Sequence, residues 1–223
     1  MQEHIPEPVP GVVLMRLPIR NTDRDRRQYR RSLFYFINGH SPERKNMSRY
    51  KRAIELGMNE EQKEAIAYHE NVQGGYMTNM KYTLLRDITS FKVYQGWYDL
   101  QKGLRAFLSE REFTMLCYSI STSNDCLVCG TFFRRILIDW GEDPDDLVLS
   151  ETEQLLWDFG RAFVKDFHTI PEEIYEKLGS RFSEVEIIQI IAFAGQMAAT
   201  NMFVTAAGVD LDEILLNYRK LED

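Results

Sequence analysis

Apolar positions recur at helical spacing along almost the whole chain, and the polar stretches between them carry cap and stop residues. "DRRQYRRSLFYFING" puts Tyr29, Leu33 and Phe36 near one face and stops at Gly39. "SPERKNMSRYKRAIELG" opens on a Ser-Pro pair suited to a helix start and ends at Gly57. "NEEQKEAIAYHENVQGG" runs from an Asn cap to a Gly-Gly stop. "DITSFKVYQGWYDLQKGLRAFL" predicts one long helix, with Phe91, Tyr94, Trp97, Tyr98 and Leu104 at mixed steps of three and four. In "SEREFTMLCYSIS", Ser109 and Glu112 make a capping box.

The second half continues the pattern. "NDCLVCGTFFRRILIDWG" reads as a helix capped by Asn124 or Asp125, and Ser150 caps the next one. Pro171 marks the start of a short helix. "SEVEIIQIIAFAGQMAATNMFVTAAG" is apolar around most of its circumference and predicts a central buried helix. "DLDEILLNYRKLED" closes the chain. No stretch alternates at strand period, no repeat has a fixed length, and no segment is of low complexity. The fold class is all-α.

Composition narrows this only a little. The chain has 223 residues, enough to bury a full core without staples. A net charge of −7 argues against a nucleic-acid binder. No apolar run is expected to reach the length of a membrane span, and the first residues carry Glu and Pro where a leader would be basic and apolar. The expectation is a cytoplasmic protein. Residues 1–21 are Pro-rich and read as an extended arm; residues 22–223 read as a single domain. Arg16–Arg31 holds seven arginines against two aspartates. A solvated helix start accounts for it; contact with an anionic ligand or an acidic subunit surface is the functional alternative.

The chemistry concentrates in "SISTSNDCLVCGTFFRR", residues 119–135, which holds two of the three cysteines. On a helix, Cys126 and Cys129 share one face, just after the start expected at Asn124-Asp125. Free backbone N–H groups and the positive dipole end there favour a thiolate. A thiolate with a neighbouring thiol can reduce a peroxide or a disulfide. A structural zinc would need four ligands, and the four histidines (4, 40, 69 and 168) are scattered. The third reading treats the pair as small apolar fillers, as Cys117 in the preceding apolar helix most simply is. Arg134 or Arg135, one turn on, is a candidate to hold an anionic substrate or steady a thiolate. Surface or interface placement is the plainer alternative. The aromatics of "FKVYQGWYDL" pack a core or line a substrate pocket.

The same stretch resembles the core motif of the carboxymuconolactone decarboxylase superfamily, in its alkylhydroperoxidase-D-like branch. Ser121, Asn124, Cys126 and Cys129 stand at that branch's offsets. "YQGWYDLQKGLRAFLSEREFTML" and "FSEVEIIQIIAFAGQMAATNMFVTAAGVDLDE" resemble its flanking helices. The resemblance covers residues 90–215, with residues 22–89 as added N-terminal helices. It implies an alkylhydroperoxidase-D-like helical bundle that forms homo-oligomers, most simply a dimer. It implies a thiol-dependent peroxidase or disulfide reductase, with a peroxide or disulfide substrate and a thiol electron donor. No cofactor and no metal is implied. Cys129 would attack and Cys126 resolve.

The chain departs from that pattern at two slots. The branch's histidine position is Phe133, and its glutamate position is Thr114. Glu112 lies two residues off that slot, about 200° around a helix. The departures imply weak peroxidase activity at neutral pH, rising through pH 8 to 9, unless another base such as His69 folds over the site. The competing reading is a helical oligomer that has lost the relay and binds a small ligand or partner without redox catalysis.

Overall fold

A computed structural model describes residues 48–220 of the chain. The arm, the Arg-rich segment, the first predicted helix and His40 lie outside the described residues. Every regular element among those described is helical. In order they are α1 (Ala53–Leu56), α2 (Glu60–Asn71), α3 (Asn79–Leu84), α4 (Ile88–Gln95), α5 (Trp97–Leu104), α6 (Glu110–Ser123), α7 (Leu127–Asp139), α8 (Glu151–Asp166), α9 (Glu172–Arg181) and α10 (Glu184–Ala207). A 3₁₀ helix, Glu213–Tyr218, follows.

The cap residues do what their chemistry dictates. Asn59, Ser109, Ser150 and Ser183 each accept the N–H three residues on, and Gln62, Glu112, Glu153 and Glu186 reach back to the cap's own backbone. Glu112 is thus spent as a capping acid. Pro171 sits at the cap of α9, one residue before the helix. Gly208 ends α10 in the left-handed region at φ 60°.

Helix α6 is the centre of the molecule. Its residues from Phe113 to Ser121 are all buried, and it packs on α8, α7 and α10. It crosses α8 closely at Gly160, where a Cβ would stand 2.2 Å from Ser119 Oγ. Only a residue without a side chain lets the two backbones approach this far.

The structure corrects four expectations. The long helix around Trp97 is two helices, α4 and α5, meeting at Gly96. Gly96 N–H bonds to Val93 O at 3.2 Å, a tightened last turn, and glycine carries no Cβ to hold the α-helical path. The helix expected from the Ser-Pro pair is, among the described residues, only the single turn α1. Helix α3 was not foreseen; it is short, and NMKYTL carries no helical apolar period.

Helix α10 is not buried all round. Ile190, Phe193 and Met197 face the core, while Val185 and Ile188 are each 65% exposed. By length and composition α10 could cross a membrane, contrary to the sequence expectation. Within the fold, 44% of its most apolar window is buried, against α5 and α6 among others.

Candidate active site

The turn between α6 and α7 sets the cysteine pair. Asn124 closes α6, with its N–H on Ile120 O at 3.0 Å, and Asp125 takes φ 50°, a left-handed conformation that short Asp tolerates. The chain then reverses, and Cys126 N–H bonds to Ser121 O at 3.1 Å. The predicted cap at Asn124 or Asp125 is displaced by this turn: Cys126 itself is the N-cap of α7, and Cys129 stands in its first turn.

That shift gives the two sulfurs different surroundings. The Cys126 side chain makes no capping hydrogen bond to α7, and the group that acts most on its ionisation is the Cys129 thiol one turn on. That neighbour outweighs burial and brings the Cys126 pKa down to about 7. Cys129 is driven the other way, well above the thiol range, by the neighbouring Cys126 and by its own burial. The two thiols ionise as a pair, with the lower pKa at Cys126. Access is reversed: Cys126 is 2% exposed, whereas Cys129 lines a cavity. All three cysteines are unbridged, and Cys117 is fully buried with its pKa raised by that burial.

The cavity holds about 360 Å³, the size of a small-molecule site. Phe133 and Thr114, the two substituted slots, both face it. Trp97, Phe113, Phe132 and Trp140 give it aromatic walls. Glu110 and Arg105 pair at 2.7 Å on one side.

Opposite the thiols in sequence, three residues assemble a polar cluster. The Lys81 ammonium donates to His69 Nε2 at 2.9 Å, to Tyr98 Oη at 2.7 Å and to the Tyr76 carbonyl. Lys81 has no carboxylate within ion-pair distance among the described residues, and desolvation lowers its pKa to about 8. Burial raises Tyr98 to about 12, so its hydroxyl keeps its proton. Gly75 runs over the cluster so closely that a Cβ would meet His69 Cε1 at 2.1 Å and Tyr98 Oη at 2.9 Å.

The remaining site residues fall as follows. His69 is fully buried; Nδ1 donates to Gln73 Oε1 at 3.0 Å, and burial lowers its pKa. With Nε2 taken by Lys81, it has no nitrogen free to act as the thiols' base. Ser121 does not face the sulfurs with its hydroxyl, which donates to Cys117 O at 2.7 Å. Asn124 serves the turn, and its buried amide nitrogen has no partner. Arg134 does not reach the cavity; it pairs with Asp145 at 2.7 Å, and Arg135 with Asp139. Among the described residues no three His, Cys, Asp or Glu side chains gather to hold a metal ion.

Sequence reasoning missed Lys81 altogether. A lysine between Met80 and Tyr82 in an unforeseen helix carries no local mark of burial.

This architecture has solved counterparts. An uncharacterized peroxidase-related protein from Silicibacter sp. TM1040 superposes with a TM-score of 0.63 at 18% identity, covering 81% of this chain and 100% of that one. The debrominase Bmp8, without ligand, superposes with a TM-score of 0.57 at 15% identity, covering 80% of this chain and 97% of that one. At such identities the likeness concerns the fold, which is the alkylhydroperoxidase-D-like all-helical one. No protein-family model matches the chain, and no curated protein matches it.

Proposed function

We propose that the chain is a thiol-dependent oxidoreductase that reduces a peroxide or a disulfide with Cys126 and Cys129. One observation carries this reading. A thiol that lines a small-molecule cavity has a second thiol one helical turn away, at the N-cap of the same helix, whose pKa is lowered to about 7. The peroxidase-related neighbour supports it at the level of the fold.

Cys129 is the attacking atom because it alone of the pair lines the cavity. Its sulfur takes the terminal oxygen of a hydroperoxide, and the O–O bond breaks with its electron pair going to the leaving oxygen. The Cys129 proton passes to Cys126. The leaving oxygen takes up a proton and departs as an alcohol or water. Cys126 then attacks the sulfenic acid on Cys129; the hydroxyl leaves with the Cys126 proton as water, and a disulfide remains. An external dithiol returns two electrons and two protons. Cys126 thus stands in for the base that Phe133 cannot be. The carriers of the reading are the same two residues named from sequence, with Cys126 given a second role.

The aromatic walls favour a second reading, a homo-oligomer that binds a flat apolar ligand without redox chemistry. Counting free thiols before and after stoichiometric cumene hydroperoxide separates the two. The oxidoreductase loses two thiols per chain, and Cys129→Ser loses none. Three thiols unchanged after exposure would remove the first reading and leave the second.

A further inference from the structure

We propose that Tyr98 and Gln95, with Lys81 behind Tyr98, form an oxygen-binding and proton-donating centre in the cavity for an R–O–OH or R–OH group. The catalytic part of this rests on the thiol reading above; the binding part does not.

Three observations converge. Tyr98 Oη accepts the Lys81 ammonium at 2.7 Å, and among the described residues its own O–H has no acceptor. Both side chains line the cavity, so that O–H is the donor available to a bound molecule. Gln95, three residues earlier at the end of α4, also lines the cavity at 7% exposure, and among the described residues its buried Oε1 has no hydrogen-bond partner. A buried amide oxygen without a donor is costly unless a ligand or water supplies one. The third is Lys81 itself: among the described residues it has no carboxylate partner, and its N–H groups go to His69, Tyr98 and Tyr76.

One donor and one open acceptor match a group that both accepts and donates, as a hydroxyl or hydroperoxide does and an ether does not. The ammonium behind the phenol favours negative charge on the oxygen that Tyr98 holds. In the thiol reaction that oxygen is the leaving one. It takes the proton of Tyr98 as the O–O bond breaks, and Tyr98 is reprotonated from solvent through Lys81. Lys81 is a positioning residue, held by neutral His69, whose ring is fixed by Gln73. The motif histidine's task is then divided: Cys126 accepts the thiol proton and Tyr98 supplies the leaving group's.

The test has a binding arm and a kinetic arm, both on the full chain. Binding of 4-nitrophenol, whose O–H can accept from Tyr98 and donate to Gln95 Oε1, is followed by its absorption band, which shifts as the phenol ionises, and by quenching of Trp97 and Trp140. The wild type is expected to bind and shift the band. Tyr98→Phe should weaken binding at least about tenfold. Lys81→Met should move the bound band although Tyr98 remains, which loss of packing alone would not do. Equal affinity and an equal band in wild type and Tyr98→Phe would overturn the centre.

The kinetic arm measures single-turnover thiol loss with cumene hydroperoxide, against alkylation by iodoacetamide, whose leaving iodide needs no proton. Tyr98→Phe should slow the first about a hundredfold and leave the second unchanged. Equal slowing of both would overturn the proton-donating role. Silent wild-type thiols with Tyr98-dependent probe binding would remove the thiol reading and keep the binding centre.

Discussion

Cys129 lines the cavity and Cys126, one turn before it at the N-cap of α7, does not, yet the lowered pKa of the pair belongs to Cys126. The sulfur that can reach a substrate and the sulfur of lower pKa are therefore different atoms. Reaction needs the proton to cross between them. The first ionisation of the pair falls at about 7, so about half of the molecules hold the anion at neutral pH. We expect the rate of thiol loss to rise through pH 6 to 8 and then level. The sign follows from a lowered thiol pKa: the reactive form is present above it and lost below. Stopped-flow rates against pH check this. A rise confined to pH 8 to 9 would match the unassisted thiol that the sequence suggested and would rule out the lowered pKa of the pair.

How much was legible in the sequence follows from which interactions are local. Caps are short-range, and "SEREF", "SETEQ" and "SEVE" each fixed a helix start by their own side chains. The Cys126–Cys129 spacing was readable for the same reason. The turn at Asn124-Asp125 was not, because it depends on one left-handed residue that redirects the chain by two positions. Lys81, Tyr98 and His69 come from α3, α5 and α2, and only tertiary packing brings them together. Phe133 and Thr114 could be named as substitutions, but what replaces them in the cavity could not.

Phe133→His restores a ring nitrogen where the related motif has one. Phe133 is buried, edge-on to Phe132 at 5.2 Å between centroids. Burying an imidazole there without a partner should cost about 1–3 kcal/mol of stability, measured by urea unfolding. Thiol loss at neutral pH should rise only a few-fold, since Cys126 already accepts the proton and Thr114 supplies no acid. A rise of a hundredfold or more would show that Cys126 does not act as the base.

Gly75→Ala should break the polar cluster without touching the thiols. The new methyl would occupy the space of the His69 ring, 2.1 Å from Cε1 and 2.3 Å from Nε2. The ring must move, and the Lys81 hydrogen bond goes with it. We expect about 1–3 kcal/mol of destabilisation, read by urea unfolding. Iodoacetamide alkylation should be unchanged, because α7 is not involved.

The exposed apolar face of α10 bears on assembly, and we propose a homo-oligomer, most simply a dimer, with this face buried in it. Val185, Ile188 and Met202 are exposed on the same helix whose other side packs the core. Light scattering at micromolar concentration should give at least twice the 26.2 kDa chain mass. Ile188→Glu should shift the distribution toward the single chain. A wild-type mass equal to one chain would exclude this assembly.

The α6–α8 crossing is where one atom decides the fit. Gly160→Ala places a methyl 2.2 Å from Ser119 Oγ and 3.1 Å from Ile120 Cγ1. Ser119 is fully buried, and its hydroxyl donates to Leu116 O at 2.9 Å within α6. Turning it away forfeits that bond in a closed interior, so the substitution should cost about 1–3 kcal/mol. The cost should be smaller in the Ser119→Ala background, where the nearest clashing atom is gone and only Ile120 must give. A double-mutant cycle by urea unfolding measures the difference. We expect a coupling of about 1 kcal/mol or more, with Gly160→Ala milder on Ser119→Ala than on the wild type. Additive costs would mean that the helices separate rather than that Ser119 yields. The α6 backbone, and with it the turn that holds Cys126, would then move in the single mutant.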